Sequence, residues 1–273
     1  MPYVEDNGVK LWYSIEGSGE PLVLTGGFGC LHNQWEWIMQ HLTPNFRVIN
    51  WNYRGAGQSD LMWAGGYPFD RWVDDLEFIL NTLNIDKVNV WGTSTGSPLT
   101  IRYTSKYQSR VKCMITYPMF KADVAFRHAF KIFQDIGEGF GHAGLARFTS
   151  WIGTATHNQF SEEGNKLAML EAEIFKANFT IESLAKTLET FSHIDLTSEL
   201  EKIKVPTLLL LGESGMLGYG MPSVTQLVID FQAHCKHAKL VTIKDAGGTY
   251  CMYEKPKESA AEVKKFIQSL KQG

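Results

Sequence analysis

The sequence predicts a mostly parallel α/β sheet covered by helices on both faces, with a helical segment inserted in its second half. Apolar strand-like runs alternate with helix-periodic runs from Val9 to Leu270, and the strand-like runs are apolar at nearly every position. Alternation of this kind builds βαβ units, and a strand apolar on both sides is one that helices cover twice. A third observation is the stretch Val88-Asn89-Val90-Trp91-Gly92-Thr93-Ser94-Thr95-Gly96, which reads as strand, sharp turn and helix.

In chain order, Val9–Ile15 alternates as a half-buried strand, and Pro21–Thr25 is a short apolar strand ending in Gly26-Gly27. Phe28 to Gln34 reads as a loop, Trp35–Leu42 as a helix and Phe46–Trp51 as a strand. Asp70–Leu83 carries apolar residues at Trp72, Val73, Leu76, Ile79, Leu80 and Leu83, a helical period. After Ser94, an apolar helix-compatible run from Ser97 to Tyr107 leads to a strand at Val111–Tyr117. Beyond a long aromatic region come a strand at Pro206–Leu211, a helix near Val224–Phe231, a strand at Ala238–Ile243 and an amphipathic helix from Glu258 to Leu270. There is no internal repeat and no low-complexity segment.

Composition narrows the function classes. The 273 residues are 44% apolar and 20% charged, enough for one large core and an inserted subdomain. A net charge of -3 offers no footprint for nucleic acid or an anionic membrane. No basic leader precedes an apolar run at the start, and no apolar run is long enough to span a bilayer, so the expectation is a cytoplasmic protein. Cys30, Cys113, Cys235 and Cys251 lack paired or metal-like spacing, as reduced thiols do, and neither metal nor cofactor is expected.

In a G-x-S-x-G turn the central Ser is held in a strained backbone conformation, so its neighbours two residues away must lack bulk. Here that places Ser94 at the carboxyl end of a central strand, where ligands of such sheets bind. Across nearly its whole length the chain resembles the α/β-hydrolase superfamily. The resemblance rests on Gly26-Gly27-Phe28-Gly29 before Trp35, on Asn52-Tyr53-Arg54-Gly55-Ala56-Gly57-Gln58-Ser59, and on the turn at Ser94. Val205 to Glu213 and Glu254-Lys255-Pro256 complete it, resembling the strand before the family's catalytic acid and the Glu-x-Pro after its catalytic His.

The departures bear on chemistry. Gly215 stands where the family carries its catalytic Asp, and Thr249 where it carries its His; Asn52 and Gly26 replace a further Asp and His. A Ser hydroxyl without an adjacent base is a poor nucleophile, and triad members act as a unit. The resemblance still implies an oxyanion hole made of the N–H groups of Phe28 and Thr95, since that device is backbone.

Substitute groups are open to two readings each. His32 is either a relocated base or a loop residue, and Tyr250 either a proton donor or a packing residue. Asp123 is either a relocated acid or a helix N-cap. Glu213 is either an acid that turns in or part of its turn, and Cys30 and Cys251 either flank the site or are inert buried thiols.

The resemblance divides the chain into a core of residues 1–119 and 195–273 and a helical cap of residues 120–194. Ten aromatic residues between Phe120 and His193 predict a dry pocket for a small organic ligand with one or two polar groups. Gly27, Cys30, Trp35 and Thr93 of the core and Phe126, Phe130 and Trp151 of the cap are expected to line it; His128, His142 and His157 are read as ordinary cap residues. The expected partner is a small-molecule substrate, in a monomer or homodimer.

Three functions fit. One is an atypical enzyme acting on a small carbonyl-containing metabolite by elimination, cyclisation, isomerisation or decarboxylation. Another is a residual esterase or lactonase that uses Ser94 with a relocated base. The last is a ligand-binding member that has lost chemistry.

Overall fold

The structure, a computed structural model, describes residues 2–61, 68–153, 162–214 and 224–271. Strands β1 (Tyr3–Asp6) and β2 (Val9–Glu16) form an antiparallel hairpin. The sequence reading missed β1, although its turn is Asn7-Gly8 with φ of 50° and 80°, the pair that a two-residue hairpin favours. Strand β3 (Glu20–Thr25) leads through a 3-10 turn (Leu31–Trp35) into α1 (Glu36–Leu42), so the expected helix at Trp35 begins one residue later and the preceding loop is shorter than expected.

Strand β4 (Phe46–Trp51), α2 (Phe69–Thr82), β5 (Val88–Gly92), α3 (Gly96–Lys106) and β6 (Val111–Thr116) follow. Three long helices then intervene: α4 (Val124–Gly153), broken at Gly141, α5 (Glu162–Asn178) and α6 (Ile181–Ser192). After α7 (Thr197–Lys202) come β7 (Thr207–Ser214), α8 (Val224–His234), β8 (Lys239–Gly247), the short α9 (Cys251–Glu254) and α10 (Pro256–Ser269).

The eight strands form one sheet in the order β1-β2-β4-β3-β5-β6-β7-β8, parallel from β4 through β8. Alternate residues of one strand go to opposite cores: Leu22 and Leu24 to one, Val23 to the other. This is why the strands read as continuous apolar runs. The fold class is as the sequence predicts.

Register sets up the site. Thr25 pairs with Gly92, so the loop leaving β3 meets the turn leaving β5; Ser214 pairs with Gly247, which brings the ends of β7 and β8 side by side. The loop after β4 is held from below by Arg54, whose buried guanidinium bonds Asp75 at 2.5 to 3.0 Å and Asp6 at 2.9 Å. Burial pushes the Asp75 carboxyl up and Arg54 pulls it back down. Lys121 and Asp195 form an isolated antiparallel backbone bridge at the foot of the inserted helices. No described helix is long and apolar enough to cross a membrane.

Candidate active site

Ser94 lies between β5 and α3 with φ of 51°, the strained conformation expected of the turn. The two glycines of the motif are required by contact: a Cβ on Gly92 would strike Thr100 and Gly96, and one on Gly96 would strike the Thr25 carbonyl. Ser94 is half-buried while both its neighbours are buried, and no described group hydrogen-bonds its hydroxyl. Gly27 approaches so closely that an added Cβ would lie 2.6 Å from the Ser94 Cβ. The loop after β3 therefore rests directly on the serine.

That loop is tightly held. Its Gly27 amide donates to Gln34 Oε1 at 2.7 Å, and its Leu31 takes φ of 45°. A Cβ on Gly26 would collide with the Leu31 backbone, so the glycine in place of the family's His follows from the path of this loop. The Phe28 ring packs on Phe133, Phe175 and Phe179 of the inserted helices, at centroid distances of 5.3 to 6.3 Å. Asn178, 1% exposed at the end of α5, donates from Nδ2 to the carbonyls of Gly29 and Cys30 and to Asn33 Oδ1. Its own carbonyl accepts from Gly57 N–H at 2.7 Å. One buried amide thus joins the inserted helices to two loops of the core.

Of the two amides expected to form an oxyanion hole, that of Thr95 has no acceptor among the described residues. The Phe28 N–H is taken: it donates to the side-chain Oγ1 of Thr95 at 2.6 Å. One of the two expected donors is thus already bonded to a side chain of the turn.

Thr249 and Gly215 are the positions that the resemblance assigns to the base and the acid. Thr249 is buried, and its carbonyl accepts from Thr93 Oγ1 at 3.3 Å. Position 249 thus lies against the turn that carries the serine, and the Thr93 hydroxyl bridges the two rather than facing a ligand. Gly215 lies outside the described residues, as do the side chains of Tyr250 and Trp151. Glu213 is exposed near the end of β7 and accepts from the Asp245 N–H of β8, so it is tied to the neighbouring strand and not to a turn of its own.

His32 is turned toward β2 and the loop after β4. Its ring stacks on Trp12 at 4.5 Å, and it makes no hydrogen bond to Ser94. Burial lowers its pKa to about 4, with the Asn52 amide pulling the other way. The imidazole is neutral at pH 7, yet it is placed for packing. Asn52 itself accepts from the Gln58 amide at 3.1 Å and its carbonyl accepts from Ser59 Oγ, so it shapes the loop.

Asp123 caps α4, its Oδ1 accepting from the Phe126 amide at 3.0 Å. Trp35, expected in the pocket, is instead core: it is fully buried, edge-on to Trp91 at 4.9 Å, among Leu22, Leu24 and Ile38. The expectation failed because the 3-10 turn rotates Trp35 under the sheet. Phe126 and Phe130 are buried four residues apart on α4, and Phe130 lines a groove with Arg127 and Leu188 on the side facing α6. None of the four cysteines is in a disulfide; Cys30 is buried in the loop, and burial pushes the Cys251 thiol up to about 12. His142 donates from Nε2 to the Phe179 carbonyl at 2.8 Å within the inserted helices. No cluster of three His, Cys, Asp or Glu suited to a metal occurs among the described residues.

Sequence reasoning missed Asn178, Gln34 and the Thr95 hydroxyl. A polar residue set within Phe175–Phe179 at a helix end was the one available signal for Asn178.

Comparison with known proteins agrees with this architecture. The non-heme chloroperoxidase CPO-A1 of Kitasatospora aureofaciens is 26% identical over 219 residues, covering 76% of this chain and 78% of that protein. The 3-oxoadipate enol-lactonase 1 of Acinetobacter baylyi is 25% identical over 211 residues, 76% of each. Among solved structures, the enol-lactonase of Burkholderia xenovorans LB400 superposes with a TM-score of 0.82 at 21% identity, over 98% of this chain and all of that one. The family model for the alpha/beta hydrolase fold matches residues 22–249, and the chain belongs to that family.

Proposed function

We propose that this protein is an α/β-hydrolase-fold enzyme for a small, largely apolar, carbonyl-containing metabolite, acting without a histidine-activated acyl-serine. The observation that carries the reading is the pairing of a strained, half-buried Ser94 with a threonine at the base position and no hydrogen-bond partner for its hydroxyl among the described residues. A serine in this state donates a hydrogen bond and does not attack: loss of a general base removes factors of about 10² to 10⁴ in rate. The Thr95 amide at the start of α3 polarises a carbonyl oxygen, which stabilises an enolate or similar charge formed by bond cleavage or migration within the substrate. Elimination, cyclisation, isomerisation and decarboxylation share that need.

The aromatic helices 120–194 serve in this reading as a cap that keeps the site dry. Relatives named as an enol-lactonase and a chloroperoxidase support a small-molecule substrate class. A second reading, a ligand-binding member without chemistry, is favoured by the occupied Phe28 amide.

Labelling with a serine-directed fluorophosphonate, followed by mass spectrometry of the Ser94 peptide, tests the proposal. Labelling of the wild type no faster than of Ser94→Ala is expected, together with conversion of a carbonyl metabolite. Rapid labelling at Ser94 would overturn the proposal in favour of a hydrolase. Tight ligand binding with no product would favour the binding protein.

A further inference from the structure

Two donors define an oxyanion hole, and in this chain one of them is already bonded. The Phe28 N–H and the Thr95 Oγ1 lie 67 residues apart in sequence and 2.6 Å apart in space. They meet because β3 and β5 are neighbours whose last residues, Thr25 and Gly92, pair. Gly27 leaves no room for the loop to move closer to Ser94, and Asn178 and the aromatic contacts of Phe28 hold it from the other side. The contact belongs to a loop held on both sides.

A hydroxyl that accepts one hydrogen bond still has its own proton to donate. Thr95 is 3% exposed, and no acceptor for its hydroxyl proton occurs among the described residues. We propose that the Thr95 hydroxyl, and not the Phe28 N–H, is the donor that joins the Thr95 amide in holding the carbonyl oxygen of a bound ligand. The assignment rests on the reading of this site as one for a carbonyl ligand. For a ligand to reach the Phe28 N–H it must break that amide's bond to Thr95, which exchanges one hydrogen bond for another with no gain. Accepting from the Thr95 hydroxyl adds a bond, and the N–H behind it strengthens the O–H as a donor. A carbonyl held there is bound and polarised, which fits a site without a base.

The test compares wild type, Thr95→Ser and Thr95→Val, the last keeping the β-branched shape while removing the hydroxyl. The probes are carbonyl-¹³C acetophenone and δ-valerolactone, followed by infrared difference spectroscopy and titration. In wild type and Thr95→Ser the carbonyl band is expected to shift to lower frequency relative to apolar solvent. In Thr95→Val that shift is expected to shrink and the Kd to rise about threefold to tenfold. Hydrogen exchange at the Phe28 amide, read without ligand, is expected to quicken in Thr95→Val and not in Thr95→Ser. An equal or larger band shift in Thr95→Val would show that the freed Phe28 N–H takes the carbonyl, and overturns this assignment alone. Unchanged exchange in a folded Thr95→Val protein overturns it as well. If neither probe binds the wild type, the carbonyl-site reading falls and this assignment falls with it.

Discussion

The turn that carries Ser94 and the arm that should activate it have been treated differently in this chain. The turn keeps every steric requirement: Gly92 and Gly96 where a Cβ has no space, Ser94 at φ of 51°, and Gly27 pressed against it. The arm keeps its backbone, with the end of β8 beside the end of β7 and Thr249 bonded to Thr93, but the side chain at position 249 is a threonine where the proposal looks for a base. Geometry and reactivity are therefore separable in this fold. Strain and close approach are enforced by the whole sheet, whereas a base is one side chain at the end of one strand. In the proposed reading, a threonine at position 249 withholds a base while the steric frame around Ser94 stays intact.

The most direct way to break this comparison is to give the arm its chemistry back. The double variant Thr249→His with Gly215→Asp is expected to raise the rate of fluorophosphonate labelling at Ser94 by about 10² or more. No acceleration in a folded variant would mean that the turn, too, has lost its function, and that its strain is a relic.

His32 sharpens the comparison from the other side, because it is the one histidine of the Phe28–Gln34 loop and yet belongs to the packing. Its pKa is about 4 in the folded chain against an ordinary 6.5. As pH falls below 6.5 the unfolded chain takes up the proton first, so stability is lost between pH 6.5 and about 4 and levels off below that. The loss is on the order of 2 kcal/mol. Urea unfolding at pH 7.0 and 4.5 is expected to show the wild type losing more stability than His32→Phe by this margin, with Ser94 labelling alike in both. A parallel loss in the two proteins would place the histidine elsewhere than against Trp12.

How much of this was legible in the sequence follows from the range of the forces involved. The turn at Ser94 was legible because its glycines answer to contacts within one strand, one turn and one helix. The expectation of a threonine at the base position rests on a single residue at a fixed interval from Glu254-Lys255-Pro256, and it remains part of the proposal. Trp35 was misplaced because its direction depends on whether Leu31–Trp35 is extended or coiled, and composition does not distinguish the two. The Thr95 contact with Phe28 was invisible, since it exists only once β3 and β5 pair, and a threonine in that position reads as filler. Asn178 escaped for the same reason: its three acceptors lie about 145 residues or more away in the chain.

Asn178 also separates the loop from the turn it rests on. Asn178→Leu removes the Nδ2 donor from the carbonyls of Gly29 and Cys30 while filling the same volume. A loss of about 2 kcal/mol in unfolding free energy is expected, the cost of leaving buried acceptors unpaired. Faster exchange at the Phe28 amide should accompany it. Full stability in the variant would mean that the aromatic contacts of Phe28 hold the loop by themselves.

The smallest expected effect tests the strain directly. A non-glycine residue in the left-handed region costs on the order of 1 kcal/mol that glycine does not incur. Ser94, at φ of 51°, has no hydrogen-bond partner for its hydroxyl among the described residues. Ser94→Gly therefore removes strain and sacrifices no described polar contact, and thermal or urea unfolding is expected to show a gain of about 1 kcal/mol, reduced by the greater freedom of glycine in the unfolded chain. If Ser94→Gly instead destabilises the protein while Ser94→Ala does not, the cost lies in the flexibility of glycine and the turn holds little strain. If both destabilise it, the Ser94 hydroxyl has a partner that stabilises the fold, and the serine belongs to the scaffold. A gain in Ser94→Gly with a weaker grip on carbonyl probes is the signature of a residue kept at a cost for what it does to a ligand.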